Sequence, residues 1–259
     1  MTPTLFVGWD VGAWNCDRGK SRDAVCVLEG SSLEALTVVC PPWRGNLRQQ
    51  LVESCRASAV VAPSNLPEPS RPVVVAMDTP LGWPAAFSRL LSGSPLAAVP
   101  EEADRNPYLF RQCELTLFER GFRPLSAVRD LIGSQASKGL HYLRKMGFQQ
   151  VAPAVWQTES WTAIETYPSP ARTSPLLQEH HARLRQSEPF LRKAGVGKNA
   201  EADLLDALWC ALVAALWGLD RGRLAGPDGA DELLVSQEGW IWLPADCTPT
   251  EADEETHDD

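Results

Sequence analysis

Four aspartates carry the chemistry that this sequence offers. Asp203 and Asp206 stand three apart at the start of an apolar segment running through Leu204, Leu205 and Ala207-Leu208-Trp209-Cys210-Ala211-Leu212. On a helix, both carboxylates would leave from one face. An aspartate among such neighbours is costly unless it is paired or bound to a cation. Asp10 and Asp78 each close a short apolar run, Thr4 to Trp9 and Val73 to Met77, and turn residues follow each. Acids at the carboxyl ends of adjacent strands face the edge where ligands bind in open α/β sheets. If the helix bearing Asp203 and Asp206 packs there, four carboxylates converge. Two carboxylates about 4 Å apart repel by roughly 4 kcal/mol at an effective dielectric of about 20. Such a cluster needs raised pKa values or a cation. Oxygen-only ligation favours Mg2+ or Mn2+ over zinc. Two such ions about 3.5 to 4 Å apart activate a water and stabilise the leaving oxygen of a phosphodiester. Asp10 is then the natural bridging ligand. Glu165, on a later strand, is either an outer ligand or a hydrogen-bond partner of the loop.

Each acid taken alone has a simpler reading. Asp10 or Asp78 would serve as a strand-end turn former, and Asp203 would favour a helix N-terminus through the macrodipole. Their joint placement is what points to a metal site. Gly8-Trp9-Asp10-Val11-Gly12 is not a phosphate loop, since it lacks the Walker lysine and the dinucleotide spacing. Gly195-Val196-Gly197-Lys198 is too short to count as one, although Lys198 stands where it can meet a phosphate before the helix. Trp9, Trp14, Trp83, Trp240 and Trp242 are candidates for stacking on bases, with core packing as the more ordinary use of tryptophan.

The elements that must position these residues follow from the apolar pattern. Thr4 to Asp10, Asp23 to Glu29 and Glu34 to Cys40 read as three strands with short connections, hence an antiparallel meander. Asn46 caps an expected helix to about Ser58, and Val73 to Met77 reads as a strand covered on both faces. A right-handed crossover then sets the first and fourth strands side by side. The segment from Trp83 to Gln157 reads as an insertion over the active edge, helical near Tyr108 to Arg120 and Leu140 to Met146. Trp161 to Tyr167 is the fifth strand, stopped by Pro168, and a helix follows from about Asn199 to Leu219. Leu233 to Val235 and Trp240 to Leu243 read as a terminal hairpin. The expectation is one α/β domain over residues 1–244 with an acidic, disordered tail over 245–259.

Composition sets the outer limits. With 259 residues and 44% hydrophobic content the chain can bury a full core. The start carries no basic segment, and the longest apolar run, Ala207 to Leu219, falls short of a membrane span, so a cytoplasmic protein is expected. Seven cysteines without a C-x-x-C pair read as reduced core residues. The net charge of −9 argues against a polyanionic partner, yet six acids lie in the tail from Glu251 to Asp259. Arg105 to Phe148 holds eight Lys or Arg against three acids, and Ala171 to Lys198 holds six against two. These stretches are either solvated faces or a surface that steers nucleic acid to the acids.

Gly8-Trp9-Asp10-Val11-Gly12, Ala76-Met77-Asp78-Thr79-Pro80-Leu81-Gly82, Arg111-Gln112-Cys113-Glu114, Ile164-Glu165-Thr166-Tyr167-Pro168, Asp203-Leu204-Leu205-Asp206-Ala207-Leu208 and Glu238-Gly239-Trp240-Ile241 resemble, in order, the blocks of the DUF429 family. That family is described as predicted nucleases of ribonuclease H-like fold, and the resemblance runs from about Phe6 to Pro244. The Asp-x-x-Asp-Ala-Leu block is also similar to the last acidic motif of bacterial Holliday-junction resolvases. Where that pattern leads one to expect a histidine or acid before the helix, this chain has Lys198-Asn199.

The leading expectation is a ribonuclease H-like sheet, three antiparallel strands and then parallel ones, carrying a metal-dependent nuclease. Asp10, Asp78, Asp203 and Asp206 are its catalytic metal ligands, Glu165 is a further ligand, and Arg111 and Lys198 contact substrate. A non-catalytic module binding nucleic acid or a partner on the same fold is the alternative. Phosphoryl transfer of the sugar-kinase type ranks last, because Ala13-Trp14 after Gly12 lacks the expected hydroxyl.

Overall fold

A computed structural model of the chain describes residues 3–14, 23–44, 71–99, 105–188 and 202–249. The helix expected over Asn46 to Ser58, Lys198 and the acids from Glu251 onward lie outside the described residues. The architecture is α/β, a nine-stranded mixed sheet with helices packed on it. β1 (Thr4–Asp10) pairs antiparallel with β2 (Ala24–Gly30), which pairs antiparallel with β3 (Thr37–Arg44). On its other side β1 pairs parallel with β4 (Val73–Asp78), and β4 with the later strand Trp161–Thr166. The strands around the acids are apolar on both faces because both faces are covered. β1 reads almost continuously buried from Leu5 to Trp9, and β4 from Val73 to Met77.

Several expected bounds shift, for local physical reasons. The third strand begins after a 3-10 turn at Leu33–Ala35 and runs through Pro41 and Pro42 instead of stopping there. β3 is the sheet edge, where a missing N–H costs nothing, and the register shift opposite Val25 to Val27 absorbs the prolines as a bulge. The 83–157 segment opens on a helix that was not expected, α1 (Ala85–Leu91), and holds the two expected helices, α2 (Gln112–Glu119) and α3 (Gly133–Lys145). It also holds a hairpin, β5 (Gln149–Ala152) and β6 (Val155–Gln157), so the fifth expected strand is β7 (Trp161–Thr166). β6 takes the first half of the free edge of β7 and the late strand β9 (Ile241–Pro244) takes the second half.

Pro168 opens a short helix, α4 (Pro168–Ala171), followed by α5 (Pro175–Ser187) and the long apolar α6 (Ala202–Leu219). β8 (Leu224–Ala225) pairs with β9. The expected terminal hairpin is corrected: Leu233 to Val235 belong to α7 (Glu232–Glu238), and β9 runs parallel to β7. Asp231 decides this, because its carboxylate accepts from the Leu233 and Leu234 N–H groups and caps a helix where the apolar run alone suggested a strand. Residues 245–249 are also corrected from disordered tail to anchored chain. Asp246 accepts from Ser174 Oγ at 2.6 Å, and Thr248 N donates to Thr173 Oγ1 at 2.9 Å.

Two apolar clusters sandwich the sheet. One holds Phe6, Val74, Ala76 and the buried length of α6. The other holds Leu5, Val7, Trp9, Val73, Val75 and Met77 against Leu143 of α3. By length and composition α6 is apolar enough to cross a membrane, but here Ala207 to Leu216 are buried in the first cluster as the centre of the core.

Candidate functional site

Asp10 and Asp78 are register partners on neighbouring parallel strands, which sets their Cα atoms about 5 Å apart. The side chains of β1 and β4 alternate between the two clusters, with Phe6, Val74 and Ala76 on the α6 side and Trp9 and Met77 on the α3 side. Carried one step further, the period of two points both Asp10 and Asp78 toward α6. Gly8 lies on that same side. A Cβ there would stand 1.9 Å from the Ala207 carbonyl oxygen and 2.2 Å from the Ala211 nitrogen. The absent side chain lets α6 rest directly on β1, and Asp206, the residue before Ala207, is thereby brought to the strand ends.

The electrostatics are those of crowded acids. Burial pushes Asp10 well above the carboxylate range, and repulsion from Asp78, Asp206, Asp203 and Asp23 adds to it. Asp78 is pushed up to about 8 by burial, then by Asp206 and Glu165, with partial relief from Arg172. Asp206 is raised as well: burial outweighs the Arg172 guanidinium, which donates from Nη2 to Asp206 Oδ1. Cys210, one turn further along α6, is held as a neutral thiol by burial and by the same acids. The free cluster therefore keeps protons at neutral pH.

Asp10 and Asp78 line a cleft of about 640 Å³, part of it open to solvent, with Thr79, Gln135, Tyr167 and Leu125 among its walls. Thr79 Oγ1 and Gln135 Oε1 are buried without a hydrogen-bond partner among the described residues. Among those residues, no three His, Cys, Asp or Glu side chains are gathered tightly enough to hold an ion as they stand. Arg172 occupies Asp206, and Glu165 is spent elsewhere. The donors around the cleft are nevertheless all oxygens, and raised, mutually repelling carboxylates are what a hard divalent cation relieves.

One expected site residue is corrected. Arg111 is fully buried, so it cannot contact substrate. Its guanidinium donates to Glu114 Oε1 at 2.8 Å, to Glu165 Oε1 at 2.6 Å and Oε2 at 2.9 Å, and to the Glu238 carbonyl at 3.0 Å. Glu165 also accepts from Leu81 N at 2.8 Å, which ties down the loop after Asp78. With both oxygens engaged by Arg111 and the Leu81 N–H, Glu165 takes the loop-holding one of its two expected roles, while the residue also lines the cleft. Glu238 completes the knot by accepting from Ala85 N and Gln112 N. Asp203 reaches the cluster electrostatically through Asp10 and Asp206.

Sequence reasoning missed Arg172, Asp23 and Lys138. The buried Lys138 ammonium donates to Asp23 Oδ2 at 2.6 Å, and Asp23 Oδ1 accepts from Gly12 N at 2.7 Å. This clamp fixes the turn that follows Asp10. The available signals were a lysine on the inner face of α3 and an acid opening an otherwise apolar strand. Arg172 carried a positional signal, since it closes the Pro168-Ser169-Pro170-Ala171 turn directly after β7. Of the five tryptophans considered for stacking, Trp9, Trp240 and Trp242 are buried and Trp83 is half-buried against Phe87, whereas Trp14 is exposed. Cys26, Cys113, Cys210 and Cys247 are buried core residues, as expected.

Comparison of the chain with models of protein families, with curated proteins and with solved structures returns no match, so what this site does has to be read from its own geometry.

Proposed function

We propose that the chain is a divalent-metal-dependent phosphodiesterase acting on nucleic acid, built on a ribonuclease H-like sheet and related to the DUF429 family. The observation that carries this reading is the register pairing of Asp10 with Asp78 at the ends of parallel strands, with Asp206 brought against them by α6 over Gly8. The order β3-β2-β1-β4-β7, antiparallel and then parallel, supports the fold assignment. The raised pKa values support cation binding, because a cation replaces the protons that the free cluster retains.

Asp10 and Asp78 would hold Mg2+ or Mn2+ between them, with Asp206 and Asp203 approaching from α6. A bound ion supplies Lewis acidity, generating hydroxide from water and stabilising the leaving oxygen. The chain's own residues do the rest. Arg172, released from Asp206, would be an exposed cation beside the acids, able to meet a phosphate oxygen. The Asp23–Lys138 clamp and the Arg111–Glu165 pair fix the turns after Asp10 and Asp78, so the two carboxylates keep their spacing. Localisation to the cytoplasm belongs to the same proposal.

Titration calorimetry with Mn2+ and a cleavage panel of single-stranded, duplex, hybrid and branched DNA and RNA test the reading. Mn2+ binding with Mg2+- or Mn2+-dependent cleavage, both lost in Asp10→Asn, is the expected result. The net charge of −9 favours a second reading, a nucleic-acid or partner-binding module without catalysis. Binding without cleavage across the panel would select it.

A further inference from the structure

We infer that Trp14 is a stacking platform for an unpaired nucleobase of the strand whose phosphate enters the acidic cleft, which assigns the site a substrate with single-stranded character next to the scissile bond. The inference rests on the proposed function for the position of that phosphate. Its evidence is separate: an indole that is 36% exposed yet held rigidly in place. Trp14 N donates to Ser134 Oγ at 3.0 Å, and its Nε1 donates to Ser137 Oγ at 3.0 Å. One face of the ring lies on Tyr142, with centroids 6.0 Å apart and planes 28° from parallel, and His141 meets it edge-on at 5.2 Å. Tyr142 is in turn braced by Trp9 of β1.

A tryptophan recruited for packing alone has no use for a backbone hydrogen bond that anchors its position and a ring hydrogen bond that orients its indole while its surface stays in water. A stacking site does, since a pre-oriented ring costs little entropy when a base lands on it. Position adds to this. Trp14 follows Asp10 by four residues, so their Cα atoms lie within about 14 Å, and the Asp23–Lys138 clamp pins Gly12 and Ala13 between them. The exposed Arg144 and Lys145 continue along α3, with Lys145 over the Tyr142 ring at 5.7 Å. An aromatic face beside cations is the surface that single strands use, and it is sequence-tolerant because every base has a π-face. A fully paired duplex keeps its bases stacked on each other and offers Trp14 none.

The test is fluorescence anisotropy in Ca2+ with labelled oligothymidylate, oligouridylate and a blunt duplex, using wild type, Trp14→Ala and Trp14→Phe. Unchanged melting temperature and Mn2+ affinity establish that each variant is folded around an intact site. Trp14→Ala is expected to weaken single-strand binding about tenfold or more, Trp14→Phe to retain most of it, and the duplex to be unaffected. Equal single-strand affinity in folded Trp14→Ala, an equal loss on the duplex, or no nucleic-acid binding by the wild type each overturns the inference. Trp14-dependent binding without cleavage leaves the platform standing and removes the nuclease. Cleavage that is indifferent to Trp14 does the reverse.

Discussion

Asp78 has to lose a proton before it can serve as a metal ligand, and that requirement makes the site measurable. Its folded pKa of about 8 lies far above the ordinary 3.8. The folded protein therefore holds a proton that the unfolded chain releases, which contributes stability that is full below about pH 4 and lost as pH rises through 8. His181, pushed down to about 4 by burial, works in the opposite direction between 4 and 6.5. Above pH 6.5 His181 therefore drops out, and Asp78 acts together with the likewise raised Asp10. In metal-free buffer the melting temperature should fall between pH 6.5 and 8.5 and the slope should flatten in Asp78→Asn, with calorimetric melts as the readout. Identical slopes in the two proteins would dismiss the raised pKa. Mn2+ affinity should rise with pH over the same range, by up to about tenfold per unit for each proton displaced. At this scale the sequence disclosed the acids because an aspartate ending an apolar run is conspicuous. It did not disclose which charges cancel. Arg111 and Glu165 read as polar groups near a site, but their pairing spans 54 positions and exists only once the sheet has formed.

Elements act here by how closely they approach, and Gly8 sets the closest approach. Gly8→Ala should destabilise the fold by about 3 kcal/mol or more, since the new Cβ meets helix backbone that cannot rotate away. It should also weaken Mn2+ binding, because α6 must lift and carry Asp206 with it. Urea melts and calorimetric titration would check the two effects, and a fully stable variant with native Mn2+ affinity would contradict this geometry. Glu165→Gln separates support from ligation. As the buried partner of Arg111 it should cost about 3–5 kcal/mol while leaving the Mn2+ dissociation constant within about threefold, short of the change a lost ligand or its direct supporter produces. The strand order around the acids was legible in the sequence because fully buried strands read as continuous apolar runs. The hairpin β5 to β6 was not: all four residues of β5 are exposed, so no apolar period marks it. α7 was misread because its short apolar core fits either period, and the Asp231 cap was the deciding signal.

For the whole molecule the question is how a chain of net charge −9 holds a polyanion. Part of the answer is that six of the acids sit in the last nine residues. The remainder is less favourable than the sequence implied, since Arg111 and Lys138 of the basic 105–148 stretch are buried in ion pairs and add nothing to the outer field. Arg105, Arg120, Arg129, Arg144 and Lys145 are exposed on that stretch, and Arg172 is exposed beside Asp206. With only a handful of phosphate contacts, binding should be weak and only modestly dependent on ionic strength. The apparent KM should rise with salt, on the order of one power of salt concentration per contact. The turnover number should change little, because the buried acids are screened less than the surface cations. Mg2+ or Mn2+ should support cleavage and Ca2+ should not, since six to eight loosely placed ligands at about 2.3–2.6 Å position the attacking water poorly. The measurement is a salt series on the preferred substrate of the cleavage panel, run with each ion and with Asp10→Asn as the contamination control. Activity that survives in Asp10→Asn, or that Ca2+ supports as well as Mg2+, would place the cleavage outside this cleft. A salt-independent KM would mean that the substrate is held by something other than its phosphates.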